Sequence, residues 1–425
     1  MRKFKQLIWG LVTLCLLASC SDKETATGPP VHLDVPYLQD FSIKFDVQPE
    51  SGALQKVFCD RNGVIQIYSS SGLLKTHAGE FLYPGKLVPD RTYRPIADKK
   101  ILNLNLYNNQ FVYLDNKAVL GNAWAGNLYS RHTMPKAARF EGGEDFAFLI
   151  SDGGSLQYLK DSRVLWTGKS NAKVTDIIFD RSRNAFWLLA KKSLSFFSVK
   201  EQTLTSAIAG DNFTCFSLAN NHHDIVIGTN DGYVIVDAGS KKLKSEPIRK
   251  LPWSDITAIK EIDGTLWFGT TKGAFTTSKD GKFNYYASQR WLPSDDVVDI
   301  VKGPDNSILI LTTKGLAQIC FKEMSLHEKA MYFERQVRAR HIRHGFNASV
   351  GGITNGNLAT GTLEDSDNDG LWTSMYLGAE VFRYAVTKSS EALENIRESM
   401  DAMERLYSIN GVKGFPSRSD RKSVV

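Results

Sequence analysis

A unit of about 41 residues recurs along the first three quarters of the chain, and nothing else in the sequence limits the fold as tightly. The clearest copy is Ile256-Thr-Ala-Ile-Lys-Glu-Ile-Asp-Gly-Thr-Leu-Trp-Phe-Gly-Thr-Thr-Lys-Gly-Ala274, followed by Val297 to Leu316 and preceded by Phe213 to Tyr233. Aligned on the turn that follows the second strand, the copies place Gly72, Asn116, Gly154, Lys192, Gly232, Gly273 and Gly315 in register, at spacings of 44, 38, 38, 40, 41 and 42 residues. A near-constant period means one supersecondary unit used repeatedly. Each copy offers three or four short strands whose apolar residues alternate, as in Asp224-Ile-Val-Ile227. One such sheet cannot bury both faces. Radial stacking around an axis solves the problem, so the expected fold class is mainly β: a seven-bladed β-propeller over residues 32–322. The turn glycine supplies the positive φ at the hairpin reversal.

The copies Leu266-Trp-Phe-Gly-Thr-Thr-Lys-Gly-Ala274 and Leu311-Thr-Thr-Lys-Gly-Leu316 resemble two-component regulator propeller repeats. That resemblance implies a periplasmic, ligand-sensing propeller, often for oligosaccharides. Copies five to seven match well, whereas Asn116 and Lys192 replace the turn glycine in earlier ones. Sensors of that family continue into a membrane helix, a kinase and a DNA-binding module, and no such segment follows here. The resemblance therefore supports the fold rather than signalling. Trp187 and Trp267 lie within strands and read as inter-blade core. Trp253 and Trp291 lie in loops, in Leu-Pro-Trp-Ser and Gln-Arg-Trp-Leu-Pro, and are candidates for stacking on a sugar.

The N-terminus addresses the chain. Met1-Arg-Lys-Phe-Lys5 carries three positive charges, and the apolar run Leu7–Leu17 is too short for the ~20 residues of a membrane span but suits a signal peptide. Leu17-Ala-Ser-Cys20 resembles the lipobox of bacterial lipoproteins, which implies lipidation of Cys20 and anchoring to the outer membrane, on its periplasmic or cell-surface side. Residues 1–20 are thus a lipoprotein signal peptide, and the polar, Pro/Gly-rich residues 21–31 a flexible tether. Without residues 1–19 the net charge falls from +6 to about +3, so nucleic acid is not an expected partner. Cys59, Cys215 and Cys320 are far apart and show no metal-ligand spacing; they read as buried free thiols.

At Ser325 the apolar period changes to 3.6, and residues 323–425 read as a small all-α segment. Ser325-Leu-His-Glu328 is a capping box, with Leu326, Ala330, Phe333 and Val337 as the apolar stripe of a helix reaching about His344 and closed by Gly345. Arg338, Arg340, His341, Arg343 and His344 form a basic last turn. They either complement the helix dipole or, through Arg340 and His341, contact an anionic ligand. Asp365, Asp367 and Asp369 alternate before Gly370 as in a calcium loop, but the twelfth position is Tyr376 rather than Glu. A single Ca2+ loop, acidic capping of a helix from about Leu371, and a catalytic set Glu364, Asp367 and Asp369 for glycoside chemistry are the readings. Trp372, Tyr376 and Glu380, at i, i+4 and i+8, suit a sugar-binding wall. A third helix is expected at about 390–409, with Leu393, Ile396, Met400, Met403 and Leu406 as its stripe.

Asp367-Asn-Asp-Gly-Leu-Trp-Thr-Ser-Met-Tyr376, Phe382–Thr387 and Gly414-Phe-Pro-Ser-Arg-Ser419 resemble the start of an (α/α)₆ toroid of the kind found in glycosidases and polysaccharide lyases. Three helices cannot close a ring of about twelve, so the resemblance implies a truncated domain, inactive as a glycoside hydrolase or lyase in this form. The expectation is a membrane-anchored extracytoplasmic lipoprotein that binds a glycan and, at full length, processes one. The alternatives are a non-catalytic scaffold for a protein partner and an orphan ligand-sensing propeller.

Overall fold

The computed structural model describes residues 33–79, 84–121, 128–278, 280–354 and 356–420. Cys20, the signal peptide and the tether lie outside the described residues. The chain divides into two compact units, one of Leu38–Glu323 with Val350–Thr362, the other of Met1–Tyr37, Met324–Ser349 and Leu363–Val425.

The first unit is a β-propeller built of antiparallel sheets. Five four-stranded sheets follow one another in simple up-and-down order, starting at Asn103, Arg139, Val174, Phe213 and Ile256. An eight-stranded sheet joins Leu54–Cys59, Ile65–Ser69, Gly72–His77 and Gly85–Pro89 to Tyr37–Asp46, Gly315–Met324, Ile308–Thr312 and Val297–Lys302. The N-terminal strand Tyr37–Asp46 thus sits beside the last strand of the repeat region. Among the described residues its strand pairing with Gly85–Pro89 is limited to two parallel partners, Phe45 and Asp46. This arrangement closes the ring with strands from opposite ends of the unit, which protects the sheet edges a linear array would leave open. Among its described residues the unit also carries two one-turn α-helices, α1 (Arg94–Ala97) and α2 (Ser288–Trp291), and three 3-10 turns at Pro49–Ser51, Pro304–Asn306 and Leu358–Thr360.

Successive sheets share apolar clusters. Trp187, Leu189 and Leu194 pack with Phe216, Ile225 and Ile227. Ala258, Trp267 and Ala274 pack with Ile300, Ile308 and Ile310. Leu309 and Leu311 pack with Val57, Ile67 and Leu74, so the last repeat rests on the first. Trp187 and Trp267 are core residues, buried between sheets.

The repeat turn is fixed by a hydroxyl. Thr229, Thr270 and Thr312 each donate to the carbonyl of the glycine three residues on, at 2.7–2.9 Å, and each accepts from the intervening amide; Ser69 does the same with Gly72. Gly232, Gly273 and Gly315 have φ of 95°, 114° and 149°. At Gly315 a Cβ would also run into the Phe45 carbonyl of the closing strand. In the third repeat the residue at positive φ is Gly153 rather than Gly154. At Asn116 the turn is held instead by Asp115 Oδ1, which accepts from Lys117 and Ala118.

The second unit holds α3 (Leu326–Arg340), α4 (Asp369–Thr387) and α5 (Ser390–Ser408). The capping box forms as expected: Ser325 Oγ accepts from the Glu328 amide, and Glu328 accepts from the Ser325 amide. The stripe expected for α3 faces outward, with Leu326 69 % and Phe333 55 % exposed, while Glu334 is the residue buried. A buried hydrogen-bond network, described below, pulls that polar face inward. The helix stops at Arg340, and His344-Gly345 form a positive-φ turn between the short strands Ile342–Arg343 and Phe346–Asn347. Gly345 is therefore a hairpin residue and not the helix terminator. In α5, Ile396 and Leu406 are buried as the stripe requires, but Met400 is exposed. Among the described residues no helix is long and apolar enough to cross a membrane.

Candidate functional site

The first strand of every repeat contributes to one cavity of ≈ 330 Å³ along the propeller axis. Its charged lining comes from Lys56, Arg139, Glu141, Asp176, Lys260 and Asp299, with Asn103, Asn105, Thr214, Cys215 and Thr257 between them. The chain places three of these charges there, Lys56, Asp176 and Asp299, through a local irregularity. The inner strands starting at Leu54, Val174, Phe213, Ile256 and Val297 all shift register at their second residue. A bulge re-aims side chains. It brings Lys56, Asp176, Cys215, Ala258 and Asp299, which share one repeat position, to the cavity.

The cavity wall is stitched from strand to strand. Asn103 Nδ2 donates to Ala138 O at 2.7 Å, Arg139 Nε to Thr175 O at 2.7 Å, Thr214 Oγ1 to Ile256 O at 2.6 Å and Thr257 Oγ1 to Val297 O at 2.7 Å. The Val57 amide donates to Asp299 Oδ2 at 3.0 Å, joining the last inner strand to the first. Lys56 pairs with Asp176 at 3.5 Å, and that carboxylate raises the lysine's pKa. Asn105 Nδ2 donates to Glu141 Oε2 at 2.7 Å. Burial nonetheless pushes the Glu141 carboxyl up to about 7, and burial also raises Asp299. The Cys215 thiol is pushed up to about 12 by burial, which removes it as a nucleophile near neutral pH. A small, polar cavity of this kind can seat a hydrogen-bonding ligand at the lower end of the ~300–1,000 Å³ range of small-molecule sites.

Apart from Cys215, read as a buried free thiol, none of these residues was singled out from the sequence. The available signal was a charge inside an apolar strand, recurring at one repeat position, as in Leu-Gln-Lys56-Val, Val-Thr-Asp176-Ile and Val-Val-Asp299-Ile.

The residues that the sequence did single out are placed as follows. Trp253 is 43 % exposed, with its Nε1 donating to Thr271 Oγ1 at 3.0 Å. Trp291 is partly buried; it packs edge-on to Tyr286 at 5.1 Å, and its carbonyl accepts from Ser42. In the second unit, Asp369 is fully buried and accepts from Ser366 Oγ at 3.1 Å and Arg343 Nη2 at 3.3 Å. Asp367 pairs at the surface with Arg418, 3.3 Å away, and Glu364 lies in an exposed strand. Among the described residues no group of three or more His, Cys, Asp or Glu is placed to hold a metal, the Asp365, Asp367, Asp369 set included. Helix α4 begins at Asp369, and its N-cap Asn368 makes no side-chain cap bond.

Tyr376 and Glu380 do not form a surface wall with Trp372. They belong to the buried stripe Asp369, Thr373, Tyr376 and Glu380, whereas Trp372 is 45 % exposed at its margin. Tyr376 Oη donates to Glu334 at 2.9 Å, Asn395 Nδ2 donates to both Glu334 and Glu380 at 2.9 Å, and Arg383 grips Glu380 at 2.5 Å. Burial raises the Glu334 carboxyl above its ordinary value. Arg340 bonds Gln336 at 2.6 Å, and His341 Nδ1 lies 3.0 Å from the Ala348 carbonyl.

No protein-family model and no curated protein sequence matches the chain. Among solved structures, the chain is similar to the extracellular domain of a hybrid two component system from B. thetaiotaomicron, at 13 % identity and a TM-score of 0.48, covering 66 % of this chain and 39 % of that one. It is also similar to a streptogramin B lyase, at 12 % identity and a TM-score of 0.49, covering 68 % and 98 %. A third is the Neurospora crassa Pan2 WD40 domain, at 10 % identity and a TM-score of 0.49, covering 68 % and 97 %. The chain thus spans well under half the length of the first of these. The propeller assignment rests on the strand pairing described above.

Proposed function

We propose that this chain is a lipid-anchored, extracytoplasmic binding protein whose seven-bladed propeller takes a glycan-sized polar ligand in its axial cavity. The observation that carries the reading is the convergence of charged and amide side chains from successive inner strands on one cavity. The blade count is supported by splitting the eight-stranded sheet at its two-residue parallel link, and by the clusters that join each sheet to the next. The anchor is supported by the charged start, the short apolar run and the Leu-Ala-Ser-Cys20 pattern. Binding is favoured over glycoside chemistry because, of the candidate set Glu364, Asp367 and Asp369, Asp369 is buried and held by Arg343, which leaves it unable to shuttle a proton.

Titration calorimetry of the exported form against neutral and acidic monosaccharides tests the ligand. Binding that is lost in Glu141→Ala but kept in Trp253→Ala supports the cavity. The reverse pattern would move the site to the Trp253 loop, and no binding to any sugar would leave the scaffold reading. Incorporation of labelled palmitate, abolished in Cys20→Ser, tests the anchor.

A further inference from the structure

We infer that Lys56 and Asp176 form a bar across the propeller axis, and that this bar, rather than the width of the ring, sets the size of solute that enters the axial cavity from the face where the inner strands begin. The bar bears on a ligand through the reading of that cavity as the binding site, on which this inference rests. The inner strands pack side by side in a closed ring: Leu54–Cys59, Asn103–Tyr107, Arg139–Gly142, Val174–Asp180, Phe213–Ala219, Ile256–Ile262, Val297–Lys302, and back to Leu54–Cys59. The side-chain bonds of the wall join neighbours in that ring, as from Arg139 to Thr175, Thr214 to Ile256 and Thr257 to Val297. Lys56 Nζ and the Asp176 carboxylate, 3.5 Å apart, do not. Their strands are separated by two strands on one side of the ring and by three on the other. The pair therefore spans the cavity instead of following its wall.

Both residues also lie at one height. They share a repeat position, each at the register shift near the start of its strand, so the pair runs across the axis and not along it. The same position carries the shorter Cys215, Ala258 and Asp299 on other strands. Arg139, the other long side chain at the strand starts, is held to the wall, its Nε and Nη1 donating to the carbonyls of Thr175 and Ala138. Lys56 is thus the long chain free to cross, and Asp176 is where it lands. Phe58, Ile178, Lys260 and Val301 line the cavity two residues farther along the same strands, ~6–7 Å on. A solute coming from the face where the inner strands begin meets the pair before it meets them. The pair is not packed core: 33 % of the Lys56 side chain and 29 % of the Asp176 side chain remain accessible. Ion pairs with this degree of exposure are weak and open readily. Such a bar excludes bulky solutes while closed and admits them in proportion to the time it is open.

The test places a thiol beyond the bar by Val301→Cys in the full exported chain and follows its modification at pH 8 by mass spectrometry of that peptide. The probes are methyl methanethiosulfonate and the bulkier benzyl methanethiosulfonate. Cys320, outside the cavity lining, is the internal reference. With the bar intact, the benzyl reagent should lag the methyl reagent by about fivefold more at position 301 than at Cys320, the factor a weak ion pair supplies. Adding Lys56→Ala should remove that lag. Loss of the cation by itself disfavours a nearby thiolate and slows both reagents, so a gain in rate reports access. Lys56→Arg should keep the lag. Lys56→Gln, which keeps length without charge, should lose it and is the second variant if circular dichroism shows that Lys56→Ala does not fold. A lag that survives loss of the Lys56 charge overturns the bar. So does an equal gain at Cys320, which marks general loosening. These rates need no ligand, so the bar can fail while sugar calorimetry upholds the cavity as the binding site, and an absence of sugar binding overturns that site while the lag stands.

Discussion

Asp180 tests the physical account most directly, because one buried carboxylate there joins two sheets. It has no solvent exposure and accepts from Ser182 Oγ at 2.7 Å, Arg183 Nη1 at 2.9 Å, Trp187 Nε1 at 3.2 Å and His222 Nδ1 at 3.1 Å. His222 belongs to the next repeat, and Arg183 also reaches its carbonyl at 2.7 Å. Asp180→Ala strands the Trp187 indole N–H in a fully buried site, worth ~1–3 kcal/mol, and removes the partner of a buried ion pair, worth ~3–5 kcal/mol. Arg183 is about a quarter exposed and keeps its bond to His222 O, so the lower part of the combined range applies. The expected loss is ~4–5 kcal/mol, read as a shift in urea midpoint at unchanged slope. Burial by itself pushes the Asp180 carboxyl up, but the donors Ser182, Trp187, His222 and Arg183 outweigh it, and the net shift is downward. A depressed carboxyl stabilises above its unfolded value of ~3.9, and that stability is lost as pH falls through the lower folded value. Asp180→Ala should remove this acid-side loss. A change below about 1 kcal/mol, or an acid profile identical to wild type, would refute the reasoning.

Four further outcomes follow from particular residues. Gly232→Ala, at φ 95° and facing the Ile248 carbonyl, should cost at least ~1–3 kcal/mol in chemical denaturation. Glu141 is the opposite case to Asp180: its folded pKa is raised, so the wild type should lose stability as pH climbs from about 4.5 to about 7, and Glu141→Gln should flatten that window in pH-dependent melting. Arg383→Leu leaves Glu334 and Glu380 buried without their cation and should cost ~3–5 kcal/mol, read as melting of the helical unit by far-UV dichroism. Iodoacetamide at pH 8 should modify Cys59 and Cys215, whose thiols burial pushes up to about 11 and about 12, far faster in denaturant than in the native protein.

Much of the propeller was legible because a β-repeat writes its period into the chain twice, as apolar alternation and as the recurring turn glycine. At Asn116, where glycine is missing, the period still marked the turn, and the structure shows Asp115 Oδ1 holding it. The cavity was less legible. Its charges come from inner strands that share no sequence neighbourhood, and the bulge that re-aims them is a property of strand pairing. The helical unit misled in the opposite sense. The 3.6 period marked α3, α4 and α5, but the heavier apolar stripe of α3 is not its buried face. Glu334 goes inside because Tyr376 and Asn395 meet it there, and no helix in isolation records those partners.

The sequence by itself determined the repeat, its turn chemistry and the change of period at Ser325, because each depends on residues close along the chain. The tertiary structure alone decided three things. It paired Tyr37–Asp46 with Gly315–Met324, brought Lys56, Arg139, Glu141, Asp176, Lys260 and Asp299 around one axis, and turned Tyr376 and Glu380 inward. The reason is the same in each case: what a polar group costs or contributes depends on the partner it meets after folding, and that partner lies tens to hundreds of residues away.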